Sequence, residues 1–239
     1  MNIEEFINET KKLGIDVTEE QLEKLEIYCN FLLEYNTHTN LTAIKNREEV
    51  YLKHFYDSLT LVKSIDLTSI ENLLDIGTGA GFPGMVLKIF FPNLQIYLVD
   101  SNNKKTKFLN ELKDKLNVDK VEVINNRIEN ITPRFINSID VVTARAVTNL
   151  PVLVELALPL VKVDKYFIAM KANAAEELEN SKYAIDHLGA KLTNVQEFNL
   201  PKNAGNRTLI SVKKIKNSDL NKLRPYEKII KKPLQKNSI

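Results

Sequence analysis

A cluster of glycines limits how this chain can fold. Four of its seven glycines fall within eight positions, at Gly77, Gly79, Gly81 and Gly84. An apolar stretch ending at Ile76 comes before them, and a helical pattern follows. A tight turn from a strand into a helix needs glycine where side chains would keep a ligand from the backbone. The sequence therefore predicts a βα unit that binds a ligand over its first turn.

Residues 71–214 alternate between strand and helix patterns. Runs such as LQIYLVD and KYFIAMKA have strand character, and NKKTKFLNELKDKL between them has helical character. This alternation predicts an α/β fold, with a mostly parallel sheet, helices on both faces and a final antiparallel pair of strands.

The flanking regions follow other patterns. Residues 1–70 predict a helical extension, in which Thr18 and Gln21 form a capping box before an apolar stripe that includes Cys29. Residues 215–239 have weak periodicity, which predicts a loop. We therefore expect three parts, namely residues 1–70, the ligand-binding domain 71–214 and the tail 215–239.

Composition and charge exclude several classes of protein. The sequence has a single cysteine and no apolar run long enough to span a membrane. We expect a cytoplasmic monomer without a membrane anchor, and no His or Cys spacing predicts a metal site. From Pro201 onward the net charge is +9, whereas residues 1–200 carry −7. Such a basic end is either a solvated tail or a surface for a polyanion.

Two classes of ligand use a glycine turn of this kind. A dinucleotide places its pyrophosphate on the helix N-terminus, and Gly79, Gly81 and Gly84 satisfy the GxGxxG pattern. S-adenosylmethionine (SAM) instead lays its methionine part over the loop. A NAD-dependent oxidoreductase and a SAM-binding protein are therefore both open at this point.

Three features favour SAM. Asp75 can support a cationic ligand, Phe82 and Pro83 stand where a pyrophosphate would need free N–H groups, and the acidic helical segment is unusual before a dinucleotide domain. Asp100 closes the second strand, where an acid can bind both hydroxyls of a ribose, and this feature suits either ligand.

The fourth strand should end beside the reacting methyl group, and the sequence there is TARAVTNLP. It lacks the Asp/Asn-Pro-Pro-aromatic stretch of exocyclic-amine methylases, and the lone Cys29 is predicted to be core rather than a nucleophile for cytosine. Guanine N7 carries a free lone pair, so its methylation needs alignment but no general base. Arg145 can offer donors to guanine O6, a phosphate or the cofactor carboxylate, or it can form an ordinary ion pair.

Motifs along nearly the whole chain resemble one family. They are YNTHTNLTAI (35–44), KHFYDSL (53–59), LLDIGTGAGFPG (73–84), LVDSNNKKTKFLNEL (98–112), TARAV (143–147) and NAGNRTLISVKK (203–214). Together they resemble the bacterial 16S rRNA guanine-N7 methyltransferases, also called glucose-inhibited division protein B. The resemblance implies a Rossmann-like class I SAM-dependent methyltransferase fold with a seven-stranded sheet. It also implies methyl transfer to N7 of the guanine numbered 527 in 16S rRNA of the small ribosomal subunit.

The turn and the resemblance together give a set of candidate cofactor residues, and no catalytic base is expected among them. They are Gly77, Gly79, Phe82, Asp100, Ile128, Glu129 and Arg145. Ile128 stands where the family often has alanine, which predicts a tighter adenine pocket.

The candidate RNA contacts are basic residues near the ligand edge of the sheet and in the tail. They are Lys104, Lys105, Arg207, Lys231 and Lys232, and the tail adds Lys228 and Lys236 as possible phosphate contacts. The tail lacks the family's glycine turn.

His54 and Asp57 are expected to position other groups or the RNA. A SAM fold that only binds RNA is a further alternative.

Overall fold

A seven-stranded sheet with the order β3-β2-β1-β4-β5-β7-β6 forms the centre of the protein. Its strands are β1 Asn72–Ile76, β2 Gln95–Asp100, β3 Val121–Asn125, β4 Ile139–Arg145, β5 Val161–Lys171, β6 Ala190–Asn199 and β7 Asn206–Lys214. The first five strands pair in parallel, and β7 runs antiparallel to both β5 and β6. The predicted α/β class and the closing antiparallel pair are both confirmed.

The computed structural model describes residues 1–234. Lys236, one of the candidate phosphate contacts, lies outside the described residues. The longer helices are α1 Ile3–Lys12, α2 Glu19–Thr39, α5 Gly84–Phe90, α6 Asn103–Leu116, α7 Ile128–Phe135, α8 Leu150–Ala157, α9 Ala175–His187 and α10 Tyr226–Lys231. Between α2 and β1 the chain forms α3 Arg47–Glu49, a π-helix Val50–Tyr56, α4 Asp57–Leu59 and the 3₁₀ helices Thr60–Lys63 and Leu67–Ser69. None of the helices within residues 1–234 has both the length and the apolar character needed to cross a membrane.

Two hydrophobic cores cover the two faces of the sheet. One contains Phe6 and Leu25 of the N-terminal helices together with Phe108 of α6. The other contains Leu153 of α8, Ile185 of α9 and Ile229 of α10. The helices of residues 1–70 therefore share a hydrophobic core with the sheet. Cys29 is fully buried in this shared core, as predicted.

Two helices were missed or wrongly predicted. Helix α7 lies between β3 and β4, where no helix was predicted, and Pro133 lies inside it. The tail was predicted to be a loop, but Tyr226–Lys231 form the short helix α10. Six residues are too few to show a helical period, and long-range contacts stabilise this segment.

Helix α2 fixes the conformation of the glycine turn. The Tyr28 ring stacks on the Phe82 ring with 5.3 Å between centroids, and its hydroxyl donates a hydrogen bond to the Ala80 carbonyl oxygen. A Cβ atom on Gly81 would lie 2.6 Å from that hydroxyl. Glycine at position 81 is therefore favoured by a φ of +101° and by close packing against Tyr28 and Met85.

We expect Tyr28→Phe to lower the free energy of unfolding by about 1–3 kcal/mol, because the buried Ala80 carbonyl loses its donor while the stacked ring remains. Urea unfolding measures this loss. Tyr35→Phe is the matched control on the same helix, since Tyr35 is less buried and packs edge-on against Phe108. Equal stability of the Tyr28→Phe variant and the unmodified protein would contradict the role of the hydroxyl.

Candidate functional site

A cavity of about 390 Å³ opens at the carboxyl ends of β1 to β4. Its walls include Gly77, Asp100, Ile128 and Glu129, all predicted from the sequence to contact the cofactor. This volume lies in the range of small-molecule sites. The structure thus brings four of the seven candidate cofactor residues to one cavity, which we call the first cavity.

Gly79 is the glycine of the turn that faces open space. Its φ is +62°, and the nearest atom to a Cβ placed there would be the Gly77 carbonyl oxygen at 4.0 Å. A Cβ atom placed on Gly77 would lie 2.6 Å from a methyl carbon of Val147. Val147 therefore excludes a side chain at Gly77, while the backbone at Gly79 is open to a ligand.

Asp100 holds the turn from the end of the next strand. Its Oδ2 accepts a hydrogen bond from the Gly79 amide at 3.0 Å, and its Oδ1 accepts one from Asn102 at 2.9 Å. Lys105 Nζ lies 3.6 Å from Oδ2. Each carboxylate oxygen has more than one lone pair, so the group can both fix the turn and accept ribose hydroxyls.

Asp75 lies beneath the turn and is fully buried. Its Oδ2 accepts hydrogen bonds from the Thr78 hydroxyl at 2.7 Å and the Gly84 amide at 2.9 Å. Its Oδ1 is buried and has no hydrogen-bond partner within residues 1–234. Burial raises the pKa of Asp75 to about 7, against the lowering effect of these two hydrogen bonds.

A second cavity of about 480 Å³ lies on the other side of the β4 end, and Ala146 lines both cavities. Arg145 and Arg207 line this second cavity and share the buried carboxylate of Asp57. Arg145 Nη1 donates to Asp57 Oδ2 at 2.9 Å, and Arg207 Nε donates to Oδ1 at 2.7 Å. Lys53 and Lys171 also line the cavity, where Lys171 pairs with Glu177 at 2.7 Å and Lys53 pairs with Glu49.

His54 is held between Arg145 and Thr42. Its Nδ1 lies 3.2 Å from Arg145 Nη2, and its Nε2 lies 2.8 Å from Thr42 Oγ1. A guanidinium only donates, so Nδ1 accepts and Nε2 carries the proton. Burial, and then the charge of Arg145, lower the pKa of His54 to about 3.

A stack of side chains joins the glycine turn to the second cavity. The His54 ring lies on Phe82 with 4.3 Å between centroids, and the Arg145 guanidinium lies 5.2 Å from the Phe82 centroid. Phe82 and Arg145 do not line the first cavity. Phe82 is buried between Tyr28 and His54, and Arg145 belongs to the second cavity.

The candidate RNA residues lie in three places. Lys104 is exposed in the first turn of α6, and Lys105 beside it lines the first cavity. Arg207 is bound to Asp57 in the second cavity. Lys231 and Lys232 are exposed at the end of α10.

Sequence reasoning did not predict that α10 reaches the first cavity, where Tyr226 and Ile230 are among the lining residues. Their spacing of four is the only local signal, and it is too short to stand out. The ion pairs of Asp57 with Arg145 and Arg207 were also not predicted. No local pattern connects residues that lie 88 and 150 positions apart in the sequence.

Comparisons with known proteins agree with this architecture. A family model described as rRNA small subunit methyltransferase G matches residues 21–218. A protein of Bacillus subtilis (strain 168) named ribosomal RNA small subunit methyltransferase G is 44% identical over 221 residues, which are 91% of this chain and 92% of the relative. The protein of the same name from Acetivibrio thermocellus is 43% identical and covers 92% of each chain.

The fold also resembles a solved structure. The YcgJ protein from Bacillus subtilis superposes with a TM-score of 0.56 at 14% identity, covering 69% of this chain and all of that one. At this identity the likeness concerns the fold alone.

The raised pKa of Asp75 predicts how stability depends on pH. The folded protein binds the Asp75 proton more tightly than the unfolded chain does. The stability gained from this proton is fully present below the ordinary pKa of 3.8 and is lost as pH rises through the folded pKa of about 7. We therefore expect the unfolding free energy of the unmodified protein, relative to Asp75→Asn, to fall between about pH 4 and pH 7 and to level off above that, by a few kcal/mol at most. Chemical unfolding across this range measures the difference, with the exposed Asp119→Asn as control for the loss of one carboxylate. A constant difference would contradict the raised pKa.

Proposed function

The chain belongs to the rRNA small subunit methyltransferase G family, and we propose on this basis that it methylates 16S rRNA of the small ribosomal subunit with SAM as the methyl donor. More narrowly, we propose that the acceptor is N7 of the guanine numbered 527. The single observation that carries the proposal is the meeting of two cavities at Ala146, one suited to the cofactor and one lined with arginine and lysine. A ribosomal RNA substrate would place the protein in the bacterial cytoplasm, where we propose it acts.

The residues around the first cavity fit SAM. Asp100 lines the cavity and can accept the ribose hydroxyls. Gly79 does not line it, but its amide is bonded to Asp100 and its open backbone can receive the methionine part. Glu129 lines the cavity beside Ile128, where the adenine would lie. When bound, SAM supplies a methyl group on a cationic sulfonium. Asp75 is fully buried and lines neither cavity, so its part is to hold the turn through Thr78 and Gly84.

The second cavity suits a guanine and its flanking phosphates. Asp57 holds Arg145 and Arg207 in place, and Arg145 also donates to the Lys53 carbonyl oxygen at 3.1 Å. A fixed guanidinium can donate to guanine O6 or to a phosphate, whereas a donor to N7 would block the acceptor lone pair. We therefore propose that Arg145 and Arg207 orient the nucleotide and leave N7 free.

The transfer itself needs no proton acceptor. In the proposed transfer, the N7 lone pair would form a bond to the methyl carbon as the bond from that carbon to sulfur breaks, with S-adenosylhomocysteine as the leaving group. N7 carries no proton before the reaction, so the product base holds the positive charge. His54 is neutral at pH 7 and has both nitrogens engaged, which supports a role in positioning Arg145.

Exposed lysines would hold the surrounding RNA. Lys104, Lys231 and Lys232 carry charges outside the two cavities, where they can contact phosphates without sequence preference. We propose these residues as RNA contacts, while Lys105 faces Asp100 and Arg207 acts inside the second cavity.

The proposal is tested by methylation and mapping. The protein is incubated with tritiated SAM and either bare small-subunit RNA or small subunits from cells that lack the modification. We expect one N7-methylguanosine at position 527, mapped by borohydride and aniline cleavage followed by primer extension. A methyl group elsewhere would contradict the narrower proposal. SAM binding without any transfer to either substrate would favour a protein that only binds RNA, and calorimetric binding of NAD instead of SAM would favour an oxidoreductase.

The absence of a general base gives a prediction about pH. In single turnovers with saturating SAM and RNA, we expect His54→Gln to be slower, because Arg145 loses a partner, but to keep the shape of the pH–rate profile between about pH 5 and pH 8. The lowered pKa of His54 places its titration below this range. His38→Gln, which alters an exposed histidine of α2, is the control. A limb of the profile that disappears only in His54→Gln would overturn this assignment.

A further inference from the structure

The C-terminal helix α10 forms part of the first cavity. Tyr226 and Ile230 lie on one face of this helix, because they are four positions apart, and both line the cavity together with Asp100, Ile128 and Glu129. The lysines of the same helix point elsewhere and are exposed. The basic tail thus has one face toward the cavity and another toward solvent.

The contacts of this helix hold it firmly against α8. Glu155 of α8 is buried and accepts hydrogen bonds from Arg224 Nη1 at 2.8 Å and from the Leu234 amide at 2.7 Å. These two donors stand before and after α10, so one carboxylate fixes both ends of the segment. Ile229 and Leu234 are buried in the core beneath it.

The cavity face of α10 is apolar and only partly covered. Ile230 is 49% exposed, whereas its neighbour Ile229 is 4% exposed. Val147, on the opposite loop, is 39% exposed and lines the same cavity. The Tyr226 ring is fixed by Arg127, whose guanidinium lies 5.4 Å from the ring centroid. An aromatic ring and aliphatic side chains around one opening suit a flat, aromatic ligand group.

We propose that Tyr226 and Ile230 contact the adenine of the cofactor, so that the C-terminal segment completes the cofactor site. The inference rests on the proposed use of SAM and adds residues to its binding site. Adenine is the flat aromatic part of SAM, and we place it at Ile128 and Glu129, the first residues of α7. Tyr226 lies near this point, because the guanidinium of the adjacent Arg127 is 5.4 Å from its ring centroid. The methionine part lies instead over Gly79 at the glycine turn.

The test is calorimetric binding of SAM to the full-length protein. We expect Tyr226→Ala to weaken binding roughly tenfold, because stacking of a base on an aromatic ring is lost. Tyr226→Phe should keep the affinity within about twofold, since the ring remains. Ile230→Ser should weaken binding by about threefold, and Ile215→Ser is its matched control, because Ile215 is 45% exposed in the tail and lies outside the cavity.

A second ligand locates the contact within the cofactor. 5′-Methylthioadenosine keeps adenine and ribose but lacks the amino-acid end of SAM. We expect Tyr226→Ala to weaken 5′-methylthioadenosine by the same factor as SAM. A loss for SAM alone would place Tyr226 at the methionine end and overturn the assignment.

Two further outcomes are decisive. If the unmodified protein binds SAM and a folded Tyr226→Ala or Ile230→Ser variant binds it equally well, α10 does not complete the site, while the proposed function stands. If the unmodified protein binds no SAM, both the proposed function and this inference are wrong. Should Tyr226→Ala fail to fold, Tyr226→Leu, which keeps the bulk without the aromatic ring, takes its place with the same expected loss.

Discussion

Two carboxylates at the ends of neighbouring strands hold the turn between β1 and α5. Asp75 binds Thr78 and Gly84 from below, and Asp100 binds Gly79 from the side. Backbone amides that would otherwise need water are satisfied by these acids, so the turn can adopt positive φ at its glycines without losing hydrogen bonds. The cavity beside Gly77 and the open backbone at Gly79 both depend on this arrangement.

Local patterns predicted those parts of the fold that depend on neighbouring residues. Strand and helix periods are local, so all seven strands and most helices were expected. Asp100 was predicted from its place at the end of the second strand, whereas Glu129 was predicted only from the family resemblance. Features that depend on distant residues escaped prediction. Gly81 packs closely against Tyr28, whose hydroxyl donates a hydrogen bond to the Ala80 carbonyl 52 positions away. Helix α10 is stabilised by Glu155, and no local signal connects the two.

The N-terminal helices are part of the site as well as of the core. Asp57 follows the π-helical turn Val50–Tyr56 and supplies the negative charge that holds Arg145 at the end of β4 and Arg207 near the start of β7. π-Helical turns are often found at functional sites. Without this carboxylate, two guanidinium groups would face each other in a partly buried cavity, so the extension and the sheet form the second cavity together.

Helix α10 lies near the C-terminus, so it is synthesised after most of the residues that line the first cavity. Most walls of the first cavity come from residues 76–156, but Tyr226 and Ile230 are needed to complete it. During synthesis the sheet strands β1 to β4 can leave the ribosome and pair before the segment 224–234 has emerged. At that stage Glu155 lacks Arg224 and Leu234, the two residues that donate hydrogen bonds to it in the complete chain. The first cavity is therefore among the last features of the molecule to form. A nascent chain can fold over much of its length before its cofactor site is complete.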